Sequence, residues 1–419
     1  MTEVSTPAFG SRFELLYQLS QTFNSSLDLD EVLNRVMDEV IEAIGAERGF
    51  VALKDDDGAL EFRSARGIEH TSIEDPESQI SHSVIEEVLQ KEETVLTHDA
   101  QSDDRFSNRS SVLDLQLRSI LCAPLLLKDK ILGVIYVDNR IFAGFFSNDE
   151  LELMTAIASS AAVAIDNARL YEIAVEKGRM ERELQMAYRV QSSLITEDLP
   201  KTPGWEFAAS WHPAREVSGD FYDFIPYQGD KLCLVIADVT DKGMPAALFM
   251  ALTRSLVRAS LDRADSLSEG IARANYLICS DSNISMPVTL FLCSIDANKE
   301  ISFVNAGHNP TIHFDVSESE LIKLTRTGMF LGFDEEAVYN QEKISLDSGD
   351  FLVFYTDGVP DAINEDKETF GMERFLKVIE ENPNASASEI LAAIEKAVQD
   401  FIGDTAPYDD LTLLIAKRV

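Results

Sequence analysis

Apolar residues in the first part of the chain alternate between helical spacing and pairs of short runs joined by polar turns. Residues 11–44 carry apolar positions every three or four residues, which predicts amphipathic helices. The segments 48–67 and 119–139 each predict two strands around a turn, and 83–99 predicts a helix and a strand between them. An alanine-rich helical pattern begins near Asn148. This order of elements predicts an α+β sandwich.

The connector residues 173–196 continue as a helical pattern with a narrow apolar stripe. The stripe consists of Met180, Leu184, Ala187, either Val190 or Gln191, and Leu194. It favours a dimeric coiled coil, although a helix packed on its own chain would show the same stripe. Two prolines and a glycine in the segment 196–204 end the helix.

From residue 205 onwards, eight apolar runs predict strands and four amphipathic stretches predict helices. One pair of helices lies between the third and fourth runs, and a second pair precedes the last run. Runs of strands with paired helices between them predict two antiparallel sheets packed together and flanked by helices. The length of 419 residues independently favours two domains.

The composition is that of a globular protein with a large excess of acidic residues. The formal net charge of −37 disfavours binding to nucleic acid or anionic lipid, because both need clustered lysine and arginine. We find no apolar run of the roughly 18 residues that a membrane helix needs, and the N-terminus lacks an export signal. The four cysteines stand singly in apolar segments, which favours buried thiols. We therefore expect a cytoplasmic protein without nucleic-acid or membrane partners.

Acidic residues stand at the ends of several predicted strands. Asp238 and Asp357 each end an apolar run, Asp220 precedes one, and Asp409 and Asp410 precede the last. Each aspartate alone fits an ordinary turn. A carboxylate at the end of a buried strand is costly unless it is paired, and the sequence places no matching set of lysines or arginines beside these residues. The repeated pattern favours divalent cations held by oxygen, either magnesium or manganese.

Two segments of the N-terminal half, "LRSILCAPLLLKDKILGVIYVDN" and "FSNDELELMTAIASSAAVAIDNARLY", resemble GAF domains. The resemblance covers residues 12–172 and implies an α/β sandwich that acts as a sensor, binding a ligand or pairing with itself. It leaves open whether the pocket holds a small molecule or nothing.

Four motifs of the C-terminal half, "VSGDFYDF", "IADVTDKGMPAAL", "FYTDGVPDAIN" and "DDLTLLI", resemble the bacterial PPM/PP2C-type serine/threonine phosphatases of the stress-response and sporulation branch. The motif "NAGHNP" stands between the second and third of them. The resemblance covers residues 197–419 and implies an α-β-β-α sandwich that binds two divalent cations, Mn²⁺ or Mg²⁺.

The same resemblance assigns metal ligands residue by residue. It makes Asp238 the bridging carboxylate, with the backbone carbonyl of Val239 beside it. The other implied ligands, which are also the implied catalytic residues together with Asp238, are Asp220, Asp357 and Asp409. Asp410 is either a further ligand or a residue that orients the site.

Four other residues near these motifs have open roles. Arg215 matches the spacing of a phosphate-binding arginine in the eukaryotic branch, or else it forms a surface ion pair. Asp223 is either part of the acidic site or a surface carboxylate. Eukaryotic members carry a histidine that acts as general acid where this chain has Thr240, and His308 is either a replacement or a turn histidine satisfied by its own loop.

The resemblance implies a metal-dependent protein serine/threonine phosphatase regulated by a GAF sensor. It also implies a substrate, a phosphorylated STAS-type anti-sigma-factor antagonist in a partner-switching pathway of the stress-response type, and a homodimer formed through the GAF domain and the connector helix. One alternative is a catalytically silent dimeric sensor scaffold. A second is a phosphatase of a small phosphorylated metabolite. The presence of all the main acidic ligands favours an enzyme over the scaffold.

Overall fold

The structure is a computed structural model that describes residues 9–23, 25–55, 57–68, 71–107, 109–196, 198–281 and 286–419. The chain divides into two compact units, Met1–Met180 and Glu181–Val419. Within the described ranges, none of the helices combines the length and the apolar character needed to cross a bilayer.

The first unit contains one antiparallel sheet between helices. Its elements are α1 (Phe9–Phe23), α2 (Leu29–Ile44), β1 (Arg48–Lys54), β2 (Leu60–Gly67), α3 (His82–Lys91), β3 (Val95–Thr97), α4 (Ser110–Asp114), β4 (Ser119–Leu127), β5 (Lys130–Asn139) and the first part of α5 (Asn148–Ser192), whose residues from Glu181 onwards belong to the second unit. The strand order is β2-β1-β5-β4-β3. One apolar cluster joins the sheet to α2 and α5, and a second cluster, which includes Phe50, Phe106 and Tyr136, covers residues on the α3 side. These elements confirm the predicted sandwich.

Helix α2 shows how local sequence sets an element. The Asp28 side chain caps its first turn by accepting a hydrogen bond from the Glu31 amide at 2.9 Å. Gly45 ends the helix with φ of 72°, a left-handed conformation that glycine adopts without strain. The apolar residues of the predicted face are buried.

The second unit contains two five-stranded antiparallel sheets. Its elements are β6 (Trp205–His212), β7 (Phe221–Tyr227), β8 (Lys231–Val239), α6 (Met244–Leu261), α7 (Leu267–Asp281), β9 (Val288–Ile295), β10 (Glu300–Ala306), β11 (Thr311–Asp315), β12 (Glu320–Leu324), β13 (Glu342–Ser345), β14 (Phe351–Tyr355), α8 (Gly371–Glu380), α9 (Ala387–Ile402) and β15 (Leu411–Arg418). The strand orders are β13-β10-β9-β8-β7 and β12-β11-β14-β15-β6.

Alternation along β14 shows how the layers pack. Leu352 and Phe354 join the apolar core that contains both sheets, together with α6 and α7. Phe351, Val353 and Tyr355 point the other way, into the core formed with α8 and α9. The layers are therefore helices, sheet, sheet and helices, which confirms the predicted α-β-β-α sandwich.

The structure contains three short elements that the sequence did not predict. Strands β12 and β13 were not predicted, because both are short edge strands in which apolar and polar residues do not alternate. The five-residue helix α4 was not predicted either. The helical pattern of the connector residues is part of α5, which runs without a break from Asn148 to Ser192. At the end of α5, Gln191 is buried, whereas Val190 is 65% exposed.

Candidate active site

The two sheets bring their acidic strand ends to one place. Strands β7 and β8 pair antiparallel with Phe221 opposite Ala237, so Asp220 and Asp238 lie next to each other where β7 begins and β8 ends. Strands β14 and β15 pair in the same way, and the backbone amide of Thr356 donates to the carbonyl of Thr412 at 3.1 Å. Asp357 follows Thr356, and Asp409 lies close enough to repel the Asp357 carboxylate.

A buried hydrogen bond links the acidic ends of the two sheets directly. The hydroxyl of Thr412 donates to Oδ2 of Asp220 at 2.8 Å, and both side chains are buried. Two glycines allow the loops to approach this closely: a Cβ at Gly358 would lie 2.0 Å from the carbonyl oxygen of Asp410, and one at Gly219 would lie 2.9 Å from that of Val239. Larger residues at either position would push the loops apart.

The carboxylates disfavour ionisation of one another. Burial, followed by repulsion from Asp238, raises the pKa of Asp220 well above its usual value. Burial and repulsion from Asp357 raise the pKa of Asp238 to about 7, although a hydrogen bond from Asp220 opposes this. Burial and the charge of Asp409 raise the pKa of Asp357. Additional positive charge would therefore stabilise the group in its ionised form.

Lys242 supplies one positive charge to this group. Its Nζ lies 2.8 Å from Oδ2 of Asp409, donates to the carbonyl of Tyr408 at 2.8 Å, and stands 4.5 Å from the centre of the Tyr408 ring. The sequence analysis did not single out Lys242, and one lysine is not a matching set for these carboxylates, which keep an excess of negative charge. Lys242 is four residues after Asp238 in the turn "DKG", so its place in that motif was the signal that could have identified it.

Asp410 holds the loop that precedes Asp220. Its Oδ1 accepts from the amide of Ala214 at 2.8 Å, and its Oδ2 accepts from the hydroxyl of Ser218 at 2.6 Å and the amide of Gly219 at 3.0 Å. These contacts make Asp410 an orienting residue in this structure. Its role as a metal ligand stays a prediction.

Asp223 is not a surface carboxylate, and this alternative from the sequence was wrong. The residue is fully buried and pairs with two arginines of α6. Arg258 donates from Nε at 2.5 Å, and Arg254 lies 3.1 Å away through its Nε. Asp223 therefore fastens β7 to α6 and is already neutralised.

The remaining predicted residues lie at different depths. Arg215 is exposed in the loop before Asp220, and its part in phosphate binding stays a prediction. The hydroxyl of Thr240 donates to the carbonyl of Pro287 at 2.9 Å.

His308 is buried between the sheets: its Nδ1 pairs with the hydroxyl of Thr289 at 2.8 Å, and its Nε2 with the carbonyl of Tyr355 at 3.2 Å. Burial lowers the pKa of His308 to about 4, which suits a structural histidine and not a general acid.

The donor chemistry of this site fits hard divalent cations. Asp220, Asp238, Asp357 and Asp409 supply oxygen atoms with excess negative charge, which is the environment that Mg²⁺ and Mn²⁺ prefer. In the part of the chain that the structure describes, no three His, Cys, Asp or Glu side chains converge as a ready metal-binding group.

Two cavities flank the carboxylates. One, of about 550 Å³, reaches from Asp409 and Gly358 along α9 and is lined mainly by apolar side chains. His212 and Glu395 form a hydrogen-bonded pair of 2.9 Å on its wall. The other, of about 270 Å³, lies beside Asp357 and Lys323. Both leave space for a substrate next to the acidic group.

Comparison with known families decides what this architecture is. Residues 28–165 match the GAF domain family, and residues 228–419 match the stage II sporulation protein E (SpoIIE) family. The chain carries a GAF domain followed by a SpoIIE-type phosphatase domain. Both resemblances noted from the sequence are confirmed. The SpoIIE-type domain contains Asp238, Asp357 and Asp409, whereas Asp220 lies just before the matched region.

Individual relatives agree with this assignment. Protein IcfG of Synechocystis sp. is 31% identical over 58% of this chain and 43% of its own length. The phosphoserine phosphatase RsbU of Bacillus subtilis is 27% identical over 57% of this chain and 71% of its own length. The chain thus spans less than half of IcfG. The solved SiaA-PP2C domain of Pseudomonas aeruginosa superimposes with a TM-score of 0.52 at 20% identity, covering 59% of this chain and 99% of that domain, and so shares the PP2C fold.

Proposed function

We propose that this protein is a metal-dependent protein serine/threonine phosphatase whose activity is regulated by its GAF domain. The observation that carries the proposal is the meeting of Asp220, Asp238, Asp357 and Asp409 at one end of the paired sheets in a SpoIIE-type domain. The RsbU relative, which is named a phosphoserine phosphatase, supports the same reaction class.

These four aspartates and the Val239 carbonyl would hold two Mn²⁺ or Mg²⁺ ions, with Asp410 either as a further ligand or as the residue that orients the site. Two such ions lower the pKa of water, orient a phosphoester and neutralise charge on the phosphoryl oxygens. The protein's own residues prepare the site: Thr412 orients the Asp220 carboxylate, and Asp410 fixes the loop before it.

The thiols of this chain do not suit nucleophilic catalysis. Burial raises the pKa of all four cysteines, so they stay protonated at neutral pH. This favours direct attack by water on phosphorus over a phosphocysteine route. Arg215, exposed in the loop before Asp220, would contact the phosphate from the protein surface.

The substrate that the family resemblance supports is a phosphorylated STAS-type anti-sigma-factor antagonist in a cytoplasmic partner-switching pathway. The cavity beside Asp409 offers an apolar wall for residues next to the phosphorylated side chain. The connector supports a homodimer, since the exposed apolar side chains of α5 include Leu170, Ile173 and Met180. A ligand or partner at the GAF domain would then act through this helix, provided that it binds the active and inactive states with different affinity.

The first test is phosphate release by the full chain from a phosphoserine peptide, with Mn²⁺, Mg²⁺ or a chelator. We expect turnover with metal and none with chelator, and a loss of at least about a hundredfold in Asp238→Ala. Asp230→Asn, on the exposed turn of the same hairpin, is the control and should match the wild type. A folded wild-type protein without activity on phosphopeptide or phosphorylated STAS protein in any metal would favour the silent scaffold. Preference for a small phosphoester over both would favour the metabolite phosphatase.

A further inference from the structure

The cavity beside Asp409 has an apolar floor that belongs to the core of the second unit. Its volume is about 550 Å³, and its lining includes Val398 and Ile402 of α9 and Leu411 of β15. Val398 and Ile402 are buried in the core that α8 and α9 form with the sheet. The volume lies in the range of small-ligand sites, about 300–1,000 Å³, so the cavity has room for at least one large side chain.

Three polar side chains on the cavity wall already have partners. His212 and Glu395 bond each other at 2.9 Å, and Nε2 of Gln399 donates to the carbonyl of Gly403 at 3.0 Å. Lys396, also on the wall, is exposed to solvent. An occupant is therefore not needed to satisfy these groups, and the lining gains most from an apolar group that leaves water. The cavity favours an aliphatic or aromatic side chain.

The mouth of the cavity meets the acidic site. Asp409, one of the four aspartates, lines the cavity together with Tyr408 and Gly358. Lys242 fixes this corner, because it donates to the Tyr408 carbonyl at 2.8 Å and lies 4.5 Å from the centre of the Tyr408 ring. The Tyr408 side chain is 62% exposed and can contact a bound peptide. A phosphoserine at the acidic site would have its neighbouring residues at this mouth.

The two cavities beside the acidic site differ in chemistry. The smaller one, of about 270 Å³ beside Asp357, carries the charged side chains Lys323 and Asp361 on its wall. The larger one, along α9, is mainly apolar. An extended peptide advances about 3.3–3.6 Å per residue, so a side chain one or two positions from the phosphoserine reaches the larger cavity.

Charge and access indicate what occupies the cavity. The net charge of −37 repels a phosphorylated peptide, whereas the burial of an apolar side chain attracts it independently of charge. A permanently bound segment or a second copy of the chain would cover Asp409 at the mouth. A residue of the substrate enters and leaves with each reaction, so it is the occupant that is compatible with turnover.

We propose that this cavity is a specificity subsite for an apolar side chain one or two residues from the phosphoserine of the substrate. Ala392 and Gln399, two turns apart on one face of α9, are the specificity-determining residues, because their size sets how much of the cavity is open. The inference rests on the proposed function and narrows its substrates to phosphoproteins with an apolar residue at that position.

The test compares phosphoserine peptides that differ in one residue, using the full chain with Mn²⁺. The reference peptide carries alanine at the two positions on either side of the phosphoserine, and four others replace one of these alanines by leucine. In the wild type, one leucine peptide should exceed the reference in kcat/KM by about ten- to hundredfold, the gain from burying a large side chain. The gain should appear mainly in KM, since the leucine binds alike in the ground state and the transition state.

Two variants narrow the cavity, and one control leaves it open. Ala392→Phe and Gln399→Phe each add a ring to the lining and should reduce the leucine preference about tenfold or more. Asp400→Phe adds the same ring at the next position, which is exposed and outside the lining, and should keep the preference. Turnover of p-nitrophenyl phosphate, which has no flanking residues, measures the intrinsic activity of each variant and shows that it is folded.

Equal kcat/KM for all the peptides in the wild type, or a leucine preference that survives in both narrowed variants, would overturn the inference. The proposed function would stand in either case, since the peptides are hydrolysed. A wild-type protein that hydrolysed none of the peptides would overturn both.

Discussion

Lys242 forms an ion pair with Asp409, its Nζ lying 2.8 Å from Oδ2 of the carboxylate. The lysine ammonium thereby neutralises a carboxylate that we propose as a ligand of a divalent cation. The lysine and the metal should compete for Asp409, since both gain from the same carboxylate.

Replacing Lys242 by methionine should therefore strengthen Mn²⁺ binding. Both partners are partly exposed, and such ion pairs contribute about 0.2–1 kcal/mol, so we expect an affinity gain of about two- to fivefold. Calorimetry on the full chain measures it, with the exposed Lys201→Met as control. Weaker binding in Lys242→Met would show that the lysine assists the metal instead of competing with it.

Asp223 should be required for stability and not for metal binding. Asp223→Asn removes the carboxylate shared by Arg254 and Arg258, leaving two guanidinium groups without their acid, at a cost of about 2–4 kcal/mol. Both tryptophans of the chain, Trp205 and Trp211, lie in the second unit, so their fluorescence during urea unfolding reports on this domain.

The control for this measurement is Asp230→Asn, which changes an exposed aspartate of the neighbouring turn and should shift the unfolding free energy by less than about 0.5 kcal/mol. Equal stability of Asp223→Asn and the wild type would contradict the role of the buried pair.

His212 and Glu395 should attract each other only in a limited pH range. The hydrogen bond to Glu395 raises the pKa of His212, and the bond to His212 lowers the pKa of Glu395. The histidine contribution is complete below its unfolded pKa of about 6.5 and disappears as pH rises through the raised value. The glutamate contribution is complete above about 4.5 and disappears as pH falls through the lowered value.

A double-mutant cycle with His212→Gln and Glu395→Gln measures this attraction. Because His212 is largely exposed, the coupling free energy at pH 5.5 should be about 0.5 kcal/mol, falling close to zero at pH 9. A coupling that is equal at both values would show that the contact does not depend on charge.

His308 should make the second unit less stable in mild acid. Burial lowers its folded pKa to about 4, whereas the unfolded value is about 6.5. Stability is therefore complete above pH 6.5 and decreases as pH falls towards 4, because protons bind the unfolded chain first; the loss reaches about 3 kcal/mol. His308→Gln cannot titrate, so the wild type should lose about that much more unfolding free energy than the variant between pH 7 and pH 4. Parallel pH profiles would contradict a buried neutral imidazole.

The strand ends that carry acid could be predicted because they are local features. The apolar run "LCLVIAD" predicts a buried strand that ends at Asp238, and "FLVFYTD" predicts the same for Asp357. Antiparallel pairing sets Asp220 beside Asp238 within one sheet, and the packing of the two sheets brings Asp357 and Asp409 to the same place. Edge strands β12 and β13 escaped prediction since their sequences lack apolar alternation.

The sequence by itself determined the domain order, the sandwich architecture and the acidic character of the site, because periodicity and strand-end residues are read within a few neighbouring positions. Only the tertiary structure decided which charged groups form ion pairs and which polar groups are linked by hydrogen bonds. The partners of Asp223 are 31 and 35 residues away, and Thr412 and Asp220 are separated by 192. Gln191 could not be distinguished from Val190 in the helical stripe, since the choice depends on the Ser218 backbone that the folded chain brings against the helix.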